Sequence, residues 1–207
     1  MNANQVIQRP PGYELFFAPL QVVLNPTDYE RVQFAYFLSK FGHSMQARDD
    51  GKRYFDHPKG AAWIYIHELG GRDPDVIILL LLHDMPEDSY LLSFFRFGMN
   101  FGAELSLDGR ALTKLSKGKE TTEEYLCRVI ERGPRVILTK LCDRLNNIRD
   151  MLGCTAEKRE KQIKETREYH LRLLVPALRM YGEKWAEYAD DLETMIETAL
   201  AQYEDKE

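Results

Sequence analysis

The chain has 207 residues, 44% of them hydrophobic and 29% charged, with a net charge of −5. That length and composition give one domain with a real core. The acidic balance argues against bulk binding to nucleic acid or to anionic membrane, while a small anionic ligand can still occupy a local basic pocket. Cys127, Cys142 and Cys154 form no CxxC pair and are odd in number, as reduced thiols of a cytoplasmic protein would be. The opening residues lack the charged-then-apolar layout of a signal peptide, and the apolar run 76–82 is far too short for a membrane span.

Residues 1–26 carry Pro10, Pro11, Pro19 and Pro26, so an irregular arm is expected, packed through its aromatic and aliphatic residues. A helix over 29–41 follows, capped by Thr27 or Asp28, with Val32, Ala35, Tyr36 and Leu38 near one face. Polar residues 46–56 form a loop around Gly51. Pro58 opens a second helix that runs to Leu69 and stops at Gly70–Gly71. Asp73–Pro74 is a cap with proline at the first helical position, and the apolar run after it makes a helix buried on every side. Pro86 ends or kinks that helix.

Residues 89–107 are expected to be helical with breaks at Gly98 and Gly102. Another helix spans 121–132 and ends at Gly133–Pro134. From 135 to 152, Ile137, Leu141, Leu145, Ile148 and Leu152 recur at spacings of four, four, three and four, an amphipathic stripe. Charged helices are expected near 156–180 and 183–203, the last burying Trp185, Tyr188, Leu192, Met195 or Ile196, and Leu200. No strand alternation and no internal repeat occurs. The class is all-α, organised as an arm (1–26), a main domain (27–180) and a C-terminal helix (181–207) packed on it.

His83 and Asp84 end the buried helix. A carboxylate beside a wholly apolar segment is costly unless compensated. Glu87 and Asp88 lie four residues further on, and would continue the same faces over one more turn. So many carboxylates beside an imidazole repel one another, and a cation relieves the repulsion. Asp143, Asn147 and Asp150 share the polar face of the amphipathic helix. Read alone that is a solvated face; with the first cluster it becomes the wall of a cleft. His57 is a further imidazole. Histidine with carboxylate suits manganese, iron or zinc.

With these residues in order, the chain resembles the HD-domain hydrolases of the RelA/SpoT group, in size their small single-domain alarmone hydrolases. The landmarks are His43, Arg48, Gly51 and Tyr54-x-x-His57-Pro58; Leu81-Leu82-His83-Asp84-x-x-Glu87-Asp88; Phe101-Gly102; Thr113-Lys114-Leu115; and Arg135-Val136-Ile137-Leu138-x-Lys140-Leu141-x-Asp143-Arg144-Leu145-x-Asn147. The resemblance covers about residues 33–175. The resemblance implies a compact helical bundle, and one Mn²⁺ held by His57, His83, Asp84 and Asp143. It implies that Glu87 and Asp88 act on the attacking water, and that the 3′-pyrophosphate of a guanosine tetra- or pentaphosphate is removed. Related members act on adenosine alarmones or on the 2′-phosphate of NADPH.

Lys52, Arg53, Lys114, Lys140 and Arg144 are the candidate phosphate contacts, with Arg144 equally placed to pin a carboxylate. Arg48, Tyr54, Asn147 and Asp150 are candidate contacts to the rest of a small-molecule nucleotide. Departures from the family pattern fall at Asp49, Asp50, Ala111, Asn146 and Asp150, and they leave the nucleobase open. Three other readings stay on the table: a nucleotide phosphatase, an antitoxin-like hydrolase that reverses a partner toxin synthetase, and a module that binds without catalysis. The arm and the tail after 180 lie outside the resemblance and leave homo-oligomerisation open.

Overall fold

The structure is a computed structural model that describes residues 12–48, 51–89, 91–115 and 118–204. Its centre is α4 (Pro74–Leu82), in which every side chain from Val76 onward is buried. Asp73 caps it, its Oδ1 accepting the Asp75 N–H at 2.9 Å, and Pro74 opens the first turn. A helix apolar on all sides must be wrapped on all sides. α2 (Pro26–Gly42), α3 (Asp56–Trp63), α7 (Ala103–Leu112) and α9 (Pro134–Arg149) supply the wrapping. α4 stops at Leu82, and the chain restarts as the short α5 (Met85–Asp88) with Pro86 in its first turn. His83 and Asp84 therefore sit at a helix break on the edge of the core.

The N-terminal segment departs from the expected irregular arm. Residues Tyr13–Gln21 form α1, with Pro19 inside it. An interior proline costs about 3 kcal/mol. Burying Phe16, Phe17 and Leu20 contributes roughly 1.5–3 kcal/mol each, which outweighs it. Phe16 and Phe17 pack at 5.2 and 5.3 Å against the Tyr36 ring of α2. The cap of α2 is Asn25, whose side chain accepts the Asp28 N–H at 2.9 Å, rather than Thr27 or Asp28. Pro26 belongs to the helix, since its fixed φ suits the first position.

Past α3 the helix widens into a π-helical stretch, Ile64–Glu68. α6 (Phe94–Phe101) meets α7 at Gly102, whose φ of 98° bends the chain; Gly98 does not interrupt α6. α8 (Thr122–Arg132) starts with a capping box between Thr121 and Glu124. Gly133 at φ 111° ends α8 and begins α9. Ile137, Leu141, Leu145 and Ile148 of α9 are buried as their spacing requires. Leu152 is half exposed, because α9 ends at Arg149 and a 3₁₀ turn, Met151–Gly153, turns it outward. α10 (Ala156–Glu165), a π-helical stretch (Thr166–Leu174) and α11 (Val175–Arg179) form one run. α12 (Glu183–Glu204) packs on α9 and α11 through Tyr188, Leu192, Ile196 and Leu200, with Trp185 and Met195 partly buried. Among the described residues no strand forms, and one antiparallel bridge joins Ala47 to Arg53.

Candidate metal centre and cavity

Three elements deliver donors to one point. His57 stands in the first turn of α3, His83 follows α4, and Asp143 projects from the middle of α9. All three are buried, and one donor atom from each lies within 4.8 Å of the others. His57 Nε2 is 3.1 Å and His83 Nε2 3.5 Å from Asp143 Oδ1. Asp84 adds its carboxylate at 3.2 Å from His83 Nε2 and 3.5 Å from His57 Nε2. It is the more open member, its side chain 22% exposed.

The rings are held from behind. His83 Nδ1 donates to Leu80 O at 2.8 Å, which in the neutral ring assigns the lone pair to Nε2. Asn146 Nδ2 lies 2.8 Å from His57 Nδ1, and in either orientation its amide holds the ring with Nε2 toward Asp143. Gly60 makes room for this: a Cβ there would stand 2.4 Å from Asn146 Oδ1. Asp84 Oδ2 accepts from Tyr54 Oη at 3.1 Å, and the Tyr54 ring stacks on His43 at 4.6 Å.

Electrostatics shows what the cluster lacks. Burial alone would lower the His83 pKa, but the Asp84 and Asp143 carboxylates push it up to about 9. Burial would raise Asp143, yet Lys140 at 2.6 Å and the two imidazoles hold it well below the usual carboxylate range. His83 Nε2 is nonetheless a buried atom with no directed hydrogen bond. A buried, unsatisfied imidazole nitrogen beside two carboxylates is the donor chemistry of a divalent transition-metal site. The residues fit a metal ion.

The cluster forms the floor of a cavity of about 380 Å³. Arg48, Tyr54, Glu87, Lys114, Lys140, Asn147 and Asp150 of the candidate set line it with the cluster. Arg48 Nη2 donates to Asn147 Oδ1 at 2.9 Å. Glu87 Oε1 accepts the backbone N–H of Lys114 at 2.8 Å. Burial and the neighbouring Lys140 and Arg144 lower the Lys114 pKa, a strain that an anion in the cavity would relieve.

Three candidates stand off the wall. Lys52 pairs with Asp150 at 3.3 Å. Arg53, mostly exposed, pairs with Asp56 at 2.8 Å. Arg144 turns the other way: it is buried, with Nη2 2.9 Å from His170 Nε2 and Nη1 donating to Gln162. Neighbours on a helix point about 100° apart, and from its place beside Asp143 the Arg144 side chain reaches His170 instead of the cleft. The side chain of Asp88, and Asp49 and Asp50, lie outside the described residues. The sequence reading missed Tyr125, Cys154, Lys158 and Gln162 on the wall, and the hold of Asn146 on His57. Lys158 and Gln162, four apart on one charged helix, carried a spacing signal; Tyr125 carried none beyond its helix.

An all-α bundle with this cluster at a helix break defines a protein of the HD-domain class. No family model matches the sequence. The chain is 36% identical over 170 residues to the guanosine-3′,5′-bis(diphosphate) 3′-pyrophosphohydrolase of Aquifex aeolicus (strain VF5), covering 78% of this chain and 24% of that protein. It is 34% identical over 121 residues to the Mus musculus pyrophosphohydrolase MESH1, covering 55% of this chain and 65% of that protein. A solved structure described as "A metazoan ortholog of SpoT hydrolyzes ppGpp and plays a role in starvation responses" superposes with a TM-score of 0.63 at 24% identity. That match covers 86% of this chain and 98% of the other, and it shows the fold. The chain spans about a quarter of the length of the Aquifex relative. The chain is similar in sequence to these pyrophosphohydrolases and shares the fold of that structure.

Proposed function

We propose that the chain is a Mn²⁺-dependent nucleotide phosphohydrolase that removes the 3′-pyrophosphate of a guanosine or adenosine alarmone. One observation carries the reading: the unsatisfied His83 Nε2, amid His57, Asp84 and Asp143, opens onto a cavity walled by Lys114, Lys140 and Lys158. A bound divalent cation supplies Lewis acidity toward phosphate oxygen. His57, His83, Asp84 and Asp143 would hold it. Glu87 accepts the proton of the attacking water, and Asp88 supports it. Water oxygen bonds to phosphorus, the bond to the 3′ oxygen breaks, and that oxygen takes up a proton. Lys114 and Lys140 neutralise the phosphates. Arg48, Tyr54, Asn147 and Asp150 contact the nucleoside, with Lys52 acting through Asp150. Arg53 and Arg144 have structural roles.

The test is hydrolysis by the metal-stripped chain, with and without added Mn²⁺, of guanosine and adenosine 3′-pyrophosphates and of NADPH. Mn²⁺-dependent release of pyrophosphate is expected. Orthophosphate from NADPH alone would make the protein a phosphatase instead, and turnover of none of them would contradict the proposal.

A further inference from the structure

A helix leaves its last carbonyls without backbone partners. At the end of α7 two side chains of α8 take them. Arg128 Nη1 donates to Arg110 O and Ala111 O at 2.9 and 3.0 Å, Tyr125 Oη donates to Leu112 O at 2.7 Å, and Arg128 Nη2 donates to Thr113 O at 3.0 Å. The guanidinium also stands at the negative end of the helix dipole. Arg128 Nη2 pairs with Glu120 at 2.9 Å, and Glu120 Oε1 accepts the Leu115 N–H at 2.5 Å. Segment 113–115 is thus tied on both sides of Lys114, by its Thr113 carbonyl and its Leu115 amide. Between the ties, the Lys114 N–H points at Glu87 Oε1, 2.8 Å away.

We infer that Arg128 and Glu120, through the Lys114 backbone amide, form a positioning clamp that aims the Glu87 carboxylate. The inference rests on the role proposed for Glu87. Glu87 is an exposed residue on a helix of four residues, and its long side chain has three torsions to fix. The amide from the α7–α8 connection sets a directed constraint on them. The Lys114 side chain is seated separately, its Nζ 5.4 Å from the centre of the Tyr125 ring, and the clamp acts on Glu87 through the Lys114 amide.

The experiment compares Arg128→Met in the parent and in a Glu87→Gln background, with Lys114 amide exchange measured on the metal-free chain. In the parent, kcat should fall about 10- to 100-fold, as a misplacement of about 1 Å does. KM and Mn²⁺ affinity should stay within about twofold, Arg128→Lys should recover part of the rate, and Lys114 exchange should quicken. In the Glu87→Gln background the same change should cost less than about twofold, because the group it aims is already gone. Should Arg128→Met lose its cooperative unfolding transition, Glu120→Gln takes its place, since it weakens the Leu115 tie and leaves Arg128 on the α7 carbonyls. Equal losses in both backgrounds, or parental kcat with Lys114 exchange quickened, would overturn the clamp while Glu87 keeps its role. A Glu87→Gln chain with parental rate would overturn the role of Glu87 and the inference with it.

Discussion

Asp108 and Asp143 are two buried carboxylates, their side chains 2% and 5% exposed. Asp108 faces the Arg132 and Arg135 guanidinium groups, at 2.5 and 2.9 Å. Guanidinium keeps its charge at every relevant pH, so the Asp108 charge is matched permanently. Asp143 has one lasting cation, Lys140, and two imidazoles whose charge depends on pH and on what else is present. A buried carboxylate braced by two arginines tightens a fold. One braced by neutralisable rings leaves bonding capacity for a cation. Burial alone does not distinguish the two; the partners do.

Four experiments test this contrast. Asp143→Asn should abolish Mn²⁺ binding and cost at least about a thousandfold in turnover, since a cation contributes several kcal/mol of charge stabilisation. Equilibrium dialysis and rate assays on the same preparation check both. Glu87→Gln should keep the cation and lose roughly 10²–10⁴ in kcat. Asp108→Asn should leave Mn²⁺ affinity unchanged and cost about 3 kcal/mol of stability in urea unfolding, because two partly buried arginines lose their shared buried partner and keep only the more exposed Glu104 and Asp75.

The smallest effect is in pH. Burial first, then Arg144 and Lys140, keep the His170 pKa well below its ordinary 6.5. The unfolded chain therefore takes a proton below pH 6.5 that the folded chain refuses. This contribution is whole above that pH and is lost on acidification at up to about 1.4 kcal/mol per unit. His83 has the opposite sign in the metal-free chain. With its pKa raised from 6.5 to about 9, its contribution is whole below 6.5 and fades as pH rises through about 9. Unfolding curves of the metal-free chain should weaken on either side of about pH 6.5. His170→Gln should flatten the acid side alone; an unchanged acid slope would remove His170 from the account.

Much of this was legible in the sequence where local chemistry and final geometry agree. Asp73–Pro74 before an unbroken apolar run specifies α4, and a four-four-three stripe specifies α9, because each signal acts within one helix. His57, His83 and Asp143 could be listed but not brought together by spacing alone; the order of landmarks shared with relatives did that. What stayed hidden is long-range or competitive. In α1 the prolines pointed to an irregular arm, and packing of Phe16, Phe17 and Leu20 overrode them. The π-helical stretches have no spacing signal. Arg144 looked like a phosphate contact by its charge, but the helix turns it to His170. The bond from Lys114 N–H to Glu87 joins residues 27 apart in the chain, through a backbone group that every residue but proline carries.

Anomalous diffraction from crystals soaked in Mn²⁺ would locate the cation. One strong peak per chain is expected, bonded to the Nε2 atoms of His57 and His83 and to carboxylate oxygens of Asp84 and Asp143. A peak elsewhere, or none with the cavity open to solvent, would contradict that placement.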